Sequence, residues 1–295
     1  MSKALIVCYG YLGDHLFAGS IAKKLKEEKQ FDEVDYVVGF PQVIPLLELN
    51  PHIDKVIFNG QIGPSPVATP QMYPDYDRIV QLGQLSFEIP PCVEVQQIAG
   101  VQHPTPDFTV YTDPVVDEQM KEQFASVTAL GLPVLAIMDS WQPKAFGFTR
   151  EEYAAGVNVP YLGYGGRLRD IPKIVAALQE RYVTIIVGAP PHVNQFETAK
   201  GNVNRTLLEE ASVLKHCDYF IGAEGGLANL ASGVGCKTIL TSDFVHQLYG
   251  WNGVIRKIPE PQLGPRYYFP SGHIDLDPYL TDDEVIASFI TIIEP

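Results

Sequence analysis

The chain has 295 residues, 46% of them apolar and 19% charged, which is enough for one large core or two ordinary ones and too apolar for intrinsic disorder. Lys and Arg number 21 against 35 Asp and Glu, a net charge of −14, so general binding to nucleic acid or anionic lipid is disfavoured unless basic side chains gather locally. Cys8, Cys92, Cys217 and Cys236 form no C-x-x-C and no metal spacing with His, the start MSKALIVCYG lacks the features of a signal peptide, and no apolar run approaches the roughly 20 residues that span a bilayer; the expectation is a soluble cytoplasmic protein with buried thiols.

In chain order, Lys3 to Cys8 is a short continuous apolar run ended by Gly10. From His15 to Lys29, apolar residues at Leu16, Ala18, Ile21, Ala22 and Leu25 fall on one helix face. Val34 to Gly39 is the next apolar run, Pro41 to Leu49 a short helix opened by proline, Ile53 to Phe58 a third strand and Arg78 to Leu82 a fourth. Residues 59 to 76 carry four prolines and make a connection long enough to be a candidate functional loop. A helix covers Val115 to Leu130. Strands then recur at Pro133 to Met138, Pro160 to Tyr164, Val183 to Val187, Tyr219 to Ile221 and Thr238 to Leu240. A last helix, Thr281 to Ile293, opens with Thr281 and Glu284 at capping-box spacing.

Strands alternating with helices specify βαβ units and parallel sheets, and the restart of the pattern indicates two α/β halves. The expected division is a first domain over 1–131, a second over 132–275, and a C-terminal helix over 276–295 that packs back on the first.

Two strand-to-helix turns are the strongest candidates for chemistry, because ligands of open α/β sheets bind beyond the carboxyl ends of the strands. In Tyr9-Gly10-Tyr11-Leu12-Gly13-Asp14, the glycines permit close backbone approach to a ligand, and Asp14 is either a helix N-cap, the commoner role, or a general base. The turn does not fit G-x-G-x-x-G. In the second, Tyr219 to Ile221 leads through Gly222-Ala223-Glu224-Gly225-Gly226 into Leu227, Leu230, Ala231 and Val234, spaced as a helix face. That helix end is suited to phosphate, with Glu224 taking sugar hydroxyls, unless the glycines serve turn sterics alone. Lys144, Arg167 and Arg169 follow strand-like runs and are candidate cations for a leaving diphosphate, although most surface cations have no such role. Asp75-Tyr76-Asp77 and Asp275-Leu276-Asp277 read as solvated loop acids, and the histidines form no metal-binding grouping.

Together, Gly13-Asp14, VDYVVGFPQVIPLLELNPHIDKVIFN (34–59), YDRIVQLG (76–83) and DYFIGAEGGLANLASGVGCKTI (218–239) resemble the heptosyltransferase-like glycosyltransferases that build lipopolysaccharide core, with gaps over most of the chain. The resemblance implies the GT-B architecture, two Rossmann-like parallel-sheet domains facing across a cleft. It implies that Asp14 is the catalytic base and that Glu224, Gly225 and Gly226 hold the diphosphate of a nucleotide-sugar donor, with Gly13 and Asn229 beside them. Glu224 replaces the family's usual Asp, Gly225 a hydroxyl-bearing residue, and Asn229 the more usual His or Thr.

The implied reaction is hexosyl, heptosyl or pentosyl transfer to an acceptor hydroxyl with inversion, using a nucleotide-sugar co-substrate but neither metal nor cofactor. A glycan, a lipid-linked sugar or another hydroxyl compound is the expected acceptor. Alternatives are transfer to hydroxylated bases of bacteriophage DNA, nucleotide-sugar epimerisation, and a non-catalytic sugar-nucleotide-binding module.

Overall fold

The computed structural model describes residues 2–10, 12–60, 68–83, 85, 89, 91–138, 169–188, 205–223, 225–241, 273–276 and 280–293. The first part comprises β1 (Lys3–Cys8), α1 (Leu12–Glu27), β2 (Glu33–Val38), a 3-10 turn (Pro41–Val43) running into α2 (Ile44–Glu48), β3 (Lys55–Phe58), β4 (Arg78–Gln81) and α3 (Pro91–Ile98). Then follow α4 (Pro114–Thr128), β5 (Val134–Met138), α5 (Ile171–Leu178), β6 (Val183–Val187), α6 (Leu207–Lys215) and β7 (Tyr219–Ala223). The last elements are α7 (Gly226–Gly233), β8 (Lys237–Thr241), β9 (His273–Leu276) and α8 (Asp282–Ile293).

The strands form two sheets, in the orders β3-β2-β1-β4 and β6-β5-β7-β8-β9, with every pairing parallel. Strand β1 lies between β2 and β4, and Ala4 to Val7 are wholly buried. Burial on both faces is why it reads as an unbroken apolar run instead of an alternating one. One apolar cluster continues from the helix side of the first sheet (Ile6, Phe17, Ile21) through Phe108 and Val110 into the second (Ala228, Leu230, Ile239).

The structure departs from the sequence reading at several points. Helix α1 begins at Leu12, almost a turn before His15. Helix α4 is fastened to α6: the Asp117 carboxylate accepts from Ser212 Oγ at 2.6 Å and also from Lys215 Nζ. Just before α4, the Val110 amide donates to the Gly233 carbonyl. The chain is therefore tied to the second sheet's helices ahead of the division expected at 131. Helix α8 lies against α5 and the second sheet instead of the first, with Phe289 edge-on to Tyr182 and Tyr219 at 5.3 and 6.3 Å. Residues 273–276, read as part of a loop, form the edge strand β9. The strand expected at 160–164 falls outside the described residues.

Candidate functional site

The site is built from matching turns on the two sheets. β1 is an inner strand of the first sheet and β7 of the second, and each leads at its carboxyl end into a helix, α1 and α7. The N-termini of those helices meet. A Cβ on Gly13 would stand 2.6 Å from Asn229 Nδ2, and one on Gly226 would stand 2.8 Å from Leu12 Cβ and 3.2 Å from the Gly13 nitrogen. Gly225, with φ of +149°, adopts a backbone conformation that other residues rarely take. The glycines of both turns thus serve the approach of one helix to the other, and this contact gathers Gly13, Asp14, Gly225, Gly226 and Asn229.

The two helix ends differ in charge. Helix α1 carries Asp14 in its first turn. The Asp14 side chain folds back over Gly10, where a Cβ would overlap its carboxylate. Asp14 is the third residue of the helix and so is not its N-cap, as the commoner reading had it. A carboxylate in this place offsets the positive end of the α1 dipole. Helix α7 has no acid in its first turn, and Gly225 at its N-cap has no side chain to accept from the first amides. With neither a cap nor a first-turn acid among the described residues of the helix, its start is of the kind that attracts an anion. Asn229 is buried, its backbone N–H donating to the Gly225 carbonyl, and its side-chain Oδ1 has no hydrogen-bond partner among the described residues.

A neutral cluster lies close to Asp14. His15 Nδ1 and the Tyr36 hydroxyl share a 2.9 Å hydrogen bond, both residues fully buried. Burial pushes the His15 imidazole down to about 4, against an opposing hydrogen bond with the Gly10 backbone. Burial likewise lifts the Tyr36 phenol well above its usual 10 and the Cys8 thiol to about 12. All three are uncharged at neutral pH. No sequence pattern points to the His15–Tyr36 pair, because the partners lie on different elements.

Other predicted residues fall elsewhere. Arg169 is buried with its Nη1 donating to the Leu280 carbonyl and 3.3 Å from Asp282 Oδ1. It clasps the start of α8 and is not brought to the α1–α7 contact. Lys144, Arg167 and Glu224 lie outside the described residues. Asp77 and Tyr76, expected in a solvated loop, make structural bonds: Asp77 accepts from the Lys3 amide at 2.8 Å and Tyr76 donates to buried Asp35 at 2.6 Å. Among the described residues no three His, Cys, Asp or Glu side chains gather in a way that could hold a metal ion, and no helix is long and apolar enough to cross a membrane.

No family model and no curated protein matches the sequence. Solved structures do match. A glycosyl transferase family 9 protein from Veillonella parvula superposes with a TM-score of 0.62 at 13% identity, covering 99% of this chain and 97% of the other. The ADP-heptose lipopolysaccharide heptosyltransferase II of E. coli gives 0.55 at 12% identity, over 99% and 98%. The chain shares the fold of these structures, the GT-B architecture. The E. coli heptosyltransferase WaaC, solved with ADP, gives 0.51 at 12% identity over 98% and 97%. In this GT-B fold the α1–α7 contact is a direct junction between the halves, at the carboxyl ends of inner strands of both sheets.

Proposed function

We propose that the protein is a glycosyltransferase that moves a sugar from a nucleotide-sugar to an acceptor hydroxyl, with inversion, without a metal, and with Asp14 as general base. The observation that carries this reading is the placement of the Asp14 carboxylate on α1 at its junction with the uncapped start of α7. The acceptor oxygen attacks the anomeric carbon from the face opposite the phosphate and gives its proton to Asp14. The bond from that carbon to the phosphate oxygen breaks, and its electron pair leaves with the nucleoside diphosphate. The amides and dipole at the start of α7 stabilise the charge that develops there.

Lys144 and Arg167 are the proposed further cations, with Glu224 and the Asn229 Oδ1 accepting from sugar hydroxyls; Arg169 is committed to α8. The fold shared with WaaC, solved with ADP, makes an ADP-sugar the first donor to test. Four free, buried thiols fit the reducing cytoplasm as the place of action.

The test separates binding from chemistry. A thermal-shift panel of nucleotide sugars identifies the donor, since a ligand that binds only the native state raises its melting temperature. With that donor, Asp14→Asn should keep donor affinity and lose about 10²–10⁴ in transfer rate, and a chelator should leave the wild-type rate unchanged. Full transfer by Asp14→Asn at normal donor binding would remove the general base.

A further inference from the structure

Beside the α1–α7 junction lies an apolar hollow of about 280 Å³ to which the reading above gives no role. Leu12, Phe40, Pro41 and Pro45 line it from the first part of the chain, and Leu207 and Leu208 from the start of α6. Among the described residues of the lining, Gln42 and Thr206 supply the polar side chains and none is charged. The Thr206 hydroxyl is engaged in the α6 capping box, accepting from the Glu209 amide and donating to its carboxylate. The volume is just below the roughly 300–1,000 Å³ of ordinary small-molecule pockets.

Its position ties it to the reaction. Leu12 precedes Asp14 by two residues on α1, and Phe40 and Pro41 follow the carboxyl end of β2. The charges around it are equally informative. Lys3, Lys55 and Arg78 open β1, β3 and β4, at the opposite ends of the strands, and Lys3 and Lys26 are paired with Glu33 and Asp54. The carboxyl ends continue as Tyr9-Gly10, Gly39-Phe40, Asn59-Gly60 and Leu82-Gly83, with no basic side chain among these residues. What stands there is aromatic and amide, with Asn59 Nδ2 donating to the Tyr9 hydroxyl at 2.8 Å. A phosphorylated or carboxylated acceptor would leave water there without a counter-charge, whereas an apolar group gains by leaving it.

We infer that the hollow holds the apolar group, alkyl or aryl, of an uncharged acceptor whose hydroxyl is offered to Asp14. The inference rests on the transfer reading above, so its test reads binding apart from turnover. Titration calorimetry of the full chain with methyl, phenyl and n-octyl β-D-glucoside, the last below its micellar concentration, should show phenyl or octyl binding at least tenfold more tightly than methyl. Each buried methylene strengthens binding about fourfold, so burying two is sufficient, and the better of the two compounds tells aryl from alkyl. Leu208→Gln and the rim variant Pro45→Glu should each reduce that gain and leave ADP affinity unchanged. Equal or undetectable affinity for the three glucosides, or tighter binding of glucose 6-phosphate than of the octyl compound, would overturn the inference. So would a matching loss of ADP affinity in both variants, which would assign the hollow to the nucleotide. The Asp14→Asn transfer assay judges the underlying reading independently.

Discussion

Acidification from pH 7 to pH 5 is expected to remove about 2 kcal/mol of stability through one side chain, His15. The imidazole is fully buried and bonded to Tyr36, and burial holds it down to about 4 against an ordinary value of 6.5. The unfolded chain therefore takes up this proton near pH 6.5, and the folded chain not until about pH 4. Between those limits the unfolded state binds more protons, so stability rises with pH in that window and is lost as pH falls through it. With these two values the lost stability amounts to roughly 0.2 kcal/mol at pH 7, about 2 at pH 5 and about 3 at pH 4. Cys8 and Tyr36 remain neutral throughout. His52 shifts in the same direction, mainly by burial, but is more exposed and contributes less. The variant His15→Gln removes the titrating group and isolates its effect. Urea unfolding at pH 7 should show His15→Gln less stable than wild type by about 1–3 kcal/mol, because Tyr36 loses its designed partner in the core. At pH 5 the gap should have closed by about 2 kcal/mol. A gap that stays constant from pH 7 to pH 5 would show that His15 is not held neutral beneath the Asp14 turn.

Gly226→Ala places a Cβ 2.8 Å from Leu12 Cβ, and about 1–3 kcal/mol of overpacking should outweigh the roughly 1 kcal/mol that alanine adds to a helix. Urea unfolding should shift down and transfer should fall, and a variant equal to wild type in both would mean that α1 and α7 do not touch. Arg169→Met should cost about 2–4 kcal/mol, by loss of the bond to the Leu280 carbonyl and of the ion pair with Asp282, with ADP affinity of the folded protein unchanged; weaker ADP binding at normal stability would return Arg169 to the donor site. Burial raises the thiols of Cys8, Cys92 and Cys236 to about 12 and that of Cys217 well above its usual value. A disulfide reagent at pH 8 should accordingly label all four only after denaturation, and rapid native labelling of any one would contradict its placement.

Strands that read as apolar runs were legible in the sequence, and the helices α3, α5 and α6 were not. β1, β5 and β8 were found as apolar runs. Helix α3 was missed although Cys92, Val95 and Ala99 mark its face, because the fourth position of that face is Gln96. Gln96 is wholly buried yet accepts from the Thr105 amide at 2.8 Å and donates to Ser20 Oγ and the Thr105 carbonyl, so in place it behaves as a core residue. Helix α6 was missed for a similar reason. Its buried Glu210 accepts from the Gly188 amide and lies 3.6 Å from Arg205, and neither partner is visible in a hydropathy pattern. For α8 the pattern showed a helix with a face to bury but not the surface that receives it; that was decided by Phe289 meeting Tyr182 and Tyr219.

At the site, glycine was a sound but incomplete signal. It reports that something approaches the backbone closely, and at Gly13 and Gly226 the nearest neighbour is the other helix. A more telling signal was the absence of a cap. Asp113 caps α4, Asp170 caps α5, Thr206 and Glu209 box the start of α6, and Thr281 and Glu284 reciprocate at the start of α8. Each pairing is readable as a side chain at the right spacing. Gly225-Gly226 offers no such side chain, so α7 starts without a side-chain cap. Helix α2, at Val43, also starts without a side-chain cap, but α7 starts at the contact between the two halves, where its amides are placed to take an anion from outside the chain. On that argument, Gly225→Asp would cap α7 from within and compete with an anion for the same donors. It should weaken ADP binding while the helix itself is held in place.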